Sequence, residues 1–267
     1  MMGSPALAMS REDDTAHMPV HSAASLAAAD AAYRLDAEQI DVWAVDLHAA
    51  PALLAHLETW LAADELARAQ RFIFDRDRHR FVVARALLRL LLGRYTGQTP
   101  QELSFVYGEA GKPSLDPRRP PALEFNLSHS ADRALLAVSG SVPIGVDIES
   151  STRAIDVLAI ANRYFYGREF DAIAAAPAPL QRDAFLRHWV AKEAVLKGEG
   201  IGIGFALERF SICFEGQGER ARSITHVGDV PAKSWCVRML SLEPGWHGAV
   251  ALPADSFALR FPTCRPV

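Results

Sequence analysis

Cysteine is scarce in this chain. Cys213, Cys236 and Cys264 are the only three in 267 residues, and no two form a C-x-x-C pair. That excludes a disulfide framework and a thiolate zinc cage, and it favours a reducing compartment. A basic excess is missing too: 28 Lys and Arg against 32 Asp and Glu leave a net charge of -4. Such a balance carries no electrostatic footprint for nucleic acid. Also absent is an uninterrupted apolar run of membrane length. The most apolar segment, "FVVARALLRLLLGRY", carries Arg85 and Arg89 in its middle. Near the start, "SREDD" and "TAH" break up the chain, so no signal peptide is expected. The expectation is a cytoplasmic chain with no membrane or nucleic-acid partner.

What is present is ordinary for a globular protein: 50% hydrophobic and 22% charged residues. Residues 1–36 are rich in Ala, Ser, Met and Asp, with Tyr33 their only aromatic, so a disordered or loosely ordered tail is expected there. "IDVWAVDL" predicts a strand, and Pro51 suits a helix start. "DRDRHRFVVARALLRLLLGRYTG" predicts a long helix ending near Gly97, and "ALEFNLSHSADRALLAVSG" two strands joined by a polar turn. The second part of the chain repeats the order. "RDAFLRHWVAKEAVLKGEG" predicts a helix ending at Gly198 or Gly200, "FALERFSICFEG" a strand, and "SWCVRMLSLEPGWHGAVALP" a strand pair. This repeated order predicts an α+β fold of two similar halves, 37–144 and 145–267, with a ligand cleft between them.

The stretch "PIGVDIES" reads as a strand on which Ile144, Val146 and Ile148 alternate with acids. Asp147 and Glu149 then point the same way, their Cα atoms only ~6.7 Å apart. Like charges so placed repel unless a cation lies between them. A third acid follows in "WVAKEAVLKGEG": Lys192, Glu193 and Lys197 fall within an arc of ~140° on one helix, with Trp189 and Leu196 at its centre. An ordinary Glu-to-Lys surface pair rarely carries Trp and Leu in its midst. Asp147, Glu149 and Glu193 as oxygen ligands, with lysines beside them, describe a Mg2+ site that also binds a diphosphate.

Other segments add candidates. Lys112 sits between Gly111 and Pro113, where a turn can present its charge to a ligand or to solvent. "FNLSHS" ends on Ser128, His129 and Ser130, all able to donate to phosphate oxygens. Arg80 lies on the apolar side of its helix and calls for an anionic partner, whereas Arg78, Arg85 and Arg89 share the other face.

Together "GKP", "FNLSHS", "GVDIE" and "WVAKEAVLKGEGIGI" resemble the 4'-phosphopantetheinyl transferases, the larger surfactin-synthetase-activating type. The ordered set, D-x-E followed by W-x-x-K-E-x-x-x-K, carries the resemblance, which spans roughly Ile40 to Pro253. It implies two α+β halves related by a pseudo-twofold axis. It also implies transfer of the 4'-phosphopantetheine arm of coenzyme A to a serine of an apo acyl or peptidyl carrier protein, releasing adenosine 3',5'-bisphosphate. By that resemblance Asp147, Glu149 and Glu193 hold Mg2+, and Glu193 and Lys197 act in catalysis. Lys192 and Lys197 contact the diphosphate, Ser128 and His129 nucleotide phosphates, and Lys112 and Arg80 coenzyme A. One position departs from the pattern: Glu65 stands where members often carry a base, while Arg68 keeps its neighbour's basic character.

Two halves in one chain lead to the expectation of a monomer. A carrier contact is expected in "IANRYFYGREFDAI", at Tyr166 and Arg168, with Phe165 in the core. The competing readings are a Mg2+-dependent nuclease and a coenzyme A- or carrier-binding module without catalysis. The order of acids and lysines disfavours the first, and the intact acid triplet the second.

Overall fold

The computed structural model describes residues 17–29, 31–36, 39–118, 123–152, 154–202, 207–216, 218–226, 231 and 233–263. In chain order these form β1 (Val20–Ser22), α1 (Ala23–Ala28), β2 (Gln39–Asp46), α2 (Pro51–Glu58), α3 (Ala63–Ala69) and α4 (Asp75–Thr96). Then come β3 (Phe105–Tyr107), β4 (Pro113–Leu115), β5 (Glu124–Ser130), β6 (Arg133–Ser139) and β7 (Gly145–Ser150). The remainder comprises α5 (Val157–Tyr164), α6 (Gly167–Ala175), α7 (Ala178–Glu199), β8 (Phe210–Glu215), β9 (Arg220–Thr225), β10 (Cys236–Met239), β11 (Trp246–Leu252) and β12 (Ala258–Arg260).

Each half sets one 22-residue helix, α4 or α7, against one five-stranded sheet. Both helices stop on a glycine in the left-handed region, Gly97 at φ 70° and Gly200 at φ 74°, a conformation that costs a residue with Cβ energy. The first sheet runs β1-β2-β6-β5, with β12 also on β2; the second runs β7-β11-β10-β9-β8. The α+β organisation in two halves is therefore the one the repeated element order predicts.

The division at 144/145 needs amending at both ends of the chain. β12 returns from the C-terminal segment to pair in parallel with Gln39, Ile40 and Asp41 of β2. Arg260 explains the return: its guanidinium donates twice to the carboxylate of fully buried Asp41, at 2.6 Å each. A buried carboxylate left without that partner would be costly. The expected loose tail also fails for the described residues 17–29 and 31–36. β1 pairs with Ala44, Val45 and Asp46 on the same edge of β2, and Ala23 and Leu26 of α1 enter the core beneath α4. Small apolar residues give a weak periodic signal, so the composition looked like a tail. Residues 1–16 lie outside the described residues.

The segment "IANRYFYGREFDAI" forms two helices. α5 ends at Tyr164, Phe165 is buried, and Tyr166 precedes α6.

Candidate active site between the halves

β5 and β7 belong to different sheets, yet polar side chains bridge them. Asn126 Oδ1 accepts from the Val146 N–H (2.9 Å), Ser128 Oγ donates to Asp147 Oδ1 (2.8 Å), and Ser130 Oγ donates to Glu149 Oε2 (2.7 Å). The alternation Asn126, Ser128, Ser130 thus meets the alternation Asp147, Glu149, as period-two strands facing each other require. The paired carboxylates lie along this seam.

Helix α7 lies directly on β7. A Cβ at Gly145 would sit 1.8 Å from the Ala194 carbonyl oxygen, so only glycine allows this approach. The contact brings Glu193 and Lys197 to the acids. Lys197 Nζ donates to Asp147 Oδ1 (2.6 Å) and to Ser128 Oγ (2.8 Å). Burial works against its charge, but Asp147, then Glu193 and Glu149, outweigh that and hold the ammonium above its usual range. Glu193 fares otherwise: burial first, then the charges of Asp147 and Glu149, push its carboxyl up to about 8 even against Lys197. Asp147 Oδ2 and Glu193 Oε1 are both buried and have no hydrogen-bond partner.

Such orphaned acceptors are rare in a folded protein because each costs about 1–3 kcal/mol. They fit a hard cation. Among the described residues, no three Asp, Glu, His or Cys side chains are grouped so that they could hold a metal ion by themselves. An ion here would depend on water and substrate oxygens for its remaining ligands, as Mg2+ commonly does.

Beside the acids opens a cleft of about 580 Å³. One wall is Phe72, Arg76, Asp77, Arg80 and Phe81; the other is His129, Ser130 and Ala131 with Glu149, Ser150 and Thr152. Arg80 faces this cleft, with Asp77 3.5 Å away. His129 is exposed at the cleft. Desolvation by the surrounding protein, and then the charges of Lys197, Arg68 and Arg80, hold its pKa below the usual histidine value. Arg68, itself over the Phe81 ring at 5.3 Å, thus joins the cationic wall. A second, apolar pocket of about 170 Å³, formed by Ile155, Ile160, Phe185, Leu186 and Trp189, shares Glu149 and Ser150 with the cleft.

Three expected site residues are engaged elsewhere. Lys192 does not reach the cleft. It is fully buried, donates to the Leu207 carbonyl (2.7 Å) and to that of Phe210, and pairs with Glu169 at 2.7 Å. The expectation of a diphosphate contact fails because Lys192 and Lys197 stand ~140° apart around the helix, and protein covers both sides of it. Val190, Ala191, Ala194, Val195 and Leu196 are all buried as well, so α7 has no solvated face here. Lys112 donates to the carbonyls of Ile144 (3.1 Å) and Gly198 (2.9 Å), clamping β7 to the end of α7; burial lowers its pKa. Ser128 is enclosed between Asp147 and Lys197, positioning both.

The odd Glu65 also finds its reason. It is buried and accepts from Arg85 Nε (2.8 Å), Arg89 Nε (2.6 Å) and the Ala62 N–H (2.9 Å). The burial of Glu65 works against its charge, yet the two arginines keep it below the usual carboxylate range. The Arg85 and Arg89 face is therefore paired, not solvated. Sequence reasoning missed Glu169, whose carboxylate accepts from the Tyr166 N–H (3.1 Å) and the Ile212 N–H (2.8 Å) besides Lys192. The only sequence signal was an acid three residues beyond a helix start. Tyr166 stacks on His226, with ring centroids 3.8 Å apart, while Arg168 is exposed.

No described helix is long and apolar enough to cross a membrane. Residues 143–251 match the 4'-phosphopantetheinyl transferase superfamily, and residues 49–141 match the N-terminal family of 4'-phosphopantetheinyl transferases. The chain is 39% identical over 167 residues to the 4'-phosphopantetheinyl transferase HetI of Nostoc sp., covering 62% of this chain and 70% of that protein. It is 30% identical over 214 residues to the 4'-phosphopantetheinyl transferase psf-1 of Bacillus pumilus, covering 79% and 88%. It is also 30% identical over 200 residues to the 4'-phosphopantetheinyl transferase Sfp of Bacillus subtilis, covering 74% and 85%. The two matched regions fall one in each half and meet at the seam that carries the acids, and the chain belongs to the 4'-phosphopantetheinyl transferases, enzymes that move phosphopantetheine from coenzyme A to carrier proteins.

Proposed function

We propose that this chain transfers the 4'-phosphopantetheine arm of coenzyme A to a serine of an apo acyl or peptidyl carrier protein, depends on Mg2+, and releases adenosine 3',5'-bisphosphate. The observation that carries this reading is the pair of buried, unpartnered oxygens, Asp147 Oδ2 and Glu193 Oε1, at the edge of a cationic cleft. Asp147, Glu149 and Glu193 would hold the ion, which supplies positive charge to the diphosphate oxygens.

The two pockets that share Glu149 support an orientation for the substrate. The cleft with Arg80, Arg68 and His129 suits the phosphorylated nucleotide end. The apolar pocket beside Trp189 suits the uncharged arm. The diphosphate then lies at Glu149, within reach of the Lys197 ammonium. A carrier serine hydroxyl is a weak nucleophile until its proton is taken. Glu193 would take it as the serine oxygen bonds to the phosphorus bearing the arm and the bond to the nucleotide phosphate breaks. Lys197 offsets charge growing on the departing phosphate. With its carboxyl pushed up to about 8, Glu193 is mostly protonated at neutral pH, and only a nearby cation makes it a base. Exposed Arg168 remains a candidate for the carrier's rim, read as a rise in KM for the carrier alone.

The test is incubation of the purified chain with coenzyme A and several apo carriers, followed by mass spectrometry. A gain of one phosphopantetheine arm that is lost with chelator and restored by Mg2+ is expected. No gain on any carrier, or a gain indifferent to chelator, would refute the corresponding part of the reading.

A further inference from the structure

The turn before α4 presents three large apolar residues in a row. Phe72 is 38%, Ile73 90% and Phe74 65% exposed. A lone exposed apolar side chain needs no explanation, but a contiguous apolar knuckle does. The local fold holds it in place. Phe72 packs on Phe81, with ring centroids 5.3 Å apart, and lines the cleft, while Phe74 is the extended residue that caps α4. Ile73 and Phe74 therefore stand on the outer lip of the cleft and contribute nothing to its floor.

The charges beside the knuckle are sorted. Arg78 pairs with Glu58, and Arg80 turns into the cleft. Arg71 and Arg76 remain exposed on either side of the apolar residues, Arg76 also lining the cleft. Asp77 lies 3.3 Å from Arg76, and Asp75, also exposed, starts the helix, where an acid complements the helix dipole. An apolar centre flanked by arginines matches a partner surface that is apolar with an acidic rim.

We propose that the Phe72–Ile73–Phe74 turn, with Arg71 and Arg76, forms part of the docking surface for the carrier protein and takes an apolar, acid-rimmed helix of that partner. This rests on the transfer reading above. The serine must reach the diphosphate at Glu149 through the cleft mouth, and the carrier is the macromolecule that has to cover this lip during turnover.

A double and a single variant test it with coenzyme A and a purified apo acyl carrier protein: Ile73→Glu/Phe74→Glu and Arg71→Glu. Both alter exposed side chains only, so melting temperature should hold. The first should raise KM for the carrier about tenfold or more and leave KM for coenzyme A unchanged. The second should raise carrier KM at low salt, with an effect that shrinks as salt rises. Unchanged carrier KM in both variants, while wild type transfers normally, overturns the docking proposal and leaves the transfer reading intact. A parallel rise in coenzyme A KM also overturns it and assigns the turn to the nucleotide site. If carrier KM is unchanged but wild-type binding to anionic phospholipid vesicles or wild-type self-association is lost, the patch belongs to a lipid surface or a second copy, and the proposal falls. Wild type that transfers to no carrier removes the transfer reading and this proposal together.

Discussion

The two faces of α7 each hold a buried lysine–carboxylate group, and they differ in one respect. On one face Lys192 and Glu169 are saturated: the ammonium has Leu207, Phe210 and the carboxylate, and the carboxylate has two backbone N–H groups as well. On the other face Lys197 satisfies only one oxygen of Asp147, and an oxygen of Glu193 is left bare. The same residue types thus make a rivet on one side and a group with unused bonding capacity on the other. A saturated ion pair can only hold structure together, whereas an unsaturated one keeps bonding capacity for a ligand.

Removing an acid from the unsaturated face should give the largest effect. Asp147→Ala and Glu193→Ala are expected to lower transfer at least about a hundredfold with the protein still folded, as loss of a charge-stabilising group does. Steady-state rates at saturating Mg2+ together with circular dichroism check this, and near-wild-type turnover would break the comparison. Lys192→Met should do the reverse. It leaves Glu169 buried without its cation, so about 3–5 kcal/mol of stability should go. Denaturant unfolding measures that loss, and intact stability with lost activity would return Lys192 to the site.

At the nucleotide end, Arg80→Ala should raise KM for coenzyme A roughly ten- to a hundredfold, and that for dephospho-coenzyme A much less, since a charge-assisted pair contributes ~1.5–3 kcal/mol. Equal effects on both would show that Arg80 does not read the 3'-phosphate, which dephospho-coenzyme A lacks.

Acidity sharpens the comparison further. The Glu193 carboxyl goes from 4.5 unfolded to about 8 folded, so the folded state holds its proton more tightly. Its contribution to stability is intact below 4.5 and is lost as pH climbs to about 8. Metal-free protein should therefore melt at a lower temperature at pH 9 than at pH 6, and Glu193→Gln should flatten that slope. An unaltered slope in the variant would show that another group titrates. The smallest expected effect lies in the wall of the cleft. Ala131 sits at φ 46° in the β5–β6 turn, and Ala131→Gly should relieve that strain for a gain of ~0.5–1 kcal/mol in thermal unfolding.

Much of the fold was legible where the periodic signal was strong. The alternation in "GVDIES" placed Asp147 and Glu149 on one face of β7, and the long helices ended at the glycines that end them here. Legibility failed where the signal was weak or the partner lay far along the chain. β1 and α1 are built from small residues and become ordered by pairing with β2, and β12 finds that strand from 219 positions away through Arg260 and Asp41. Glu65 looked like a lapse in a basic pattern because its partners, Arg85 and Arg89, are 20 and 24 residues on.

The sequence by itself determined the family, through its ordered motifs, and the shared face of Asp147 and Glu149, because strand alternation depends only on neighbours in the chain. Only the tertiary structure decided which lysine of "WVAKEAVLKGEG" serves the acids. Glu193 and Lys197 lie ~40° apart around the helix and Lys192 ~140° from Lys197, so both lysines fit a broad polar arc. Which part of that arc meets the cleft depends on the close approach at Gly145 and on Glu169, a carboxylate brought in from another helix. No local pattern encodes either contact, because each exists only once β7, α6 and α7 have packed.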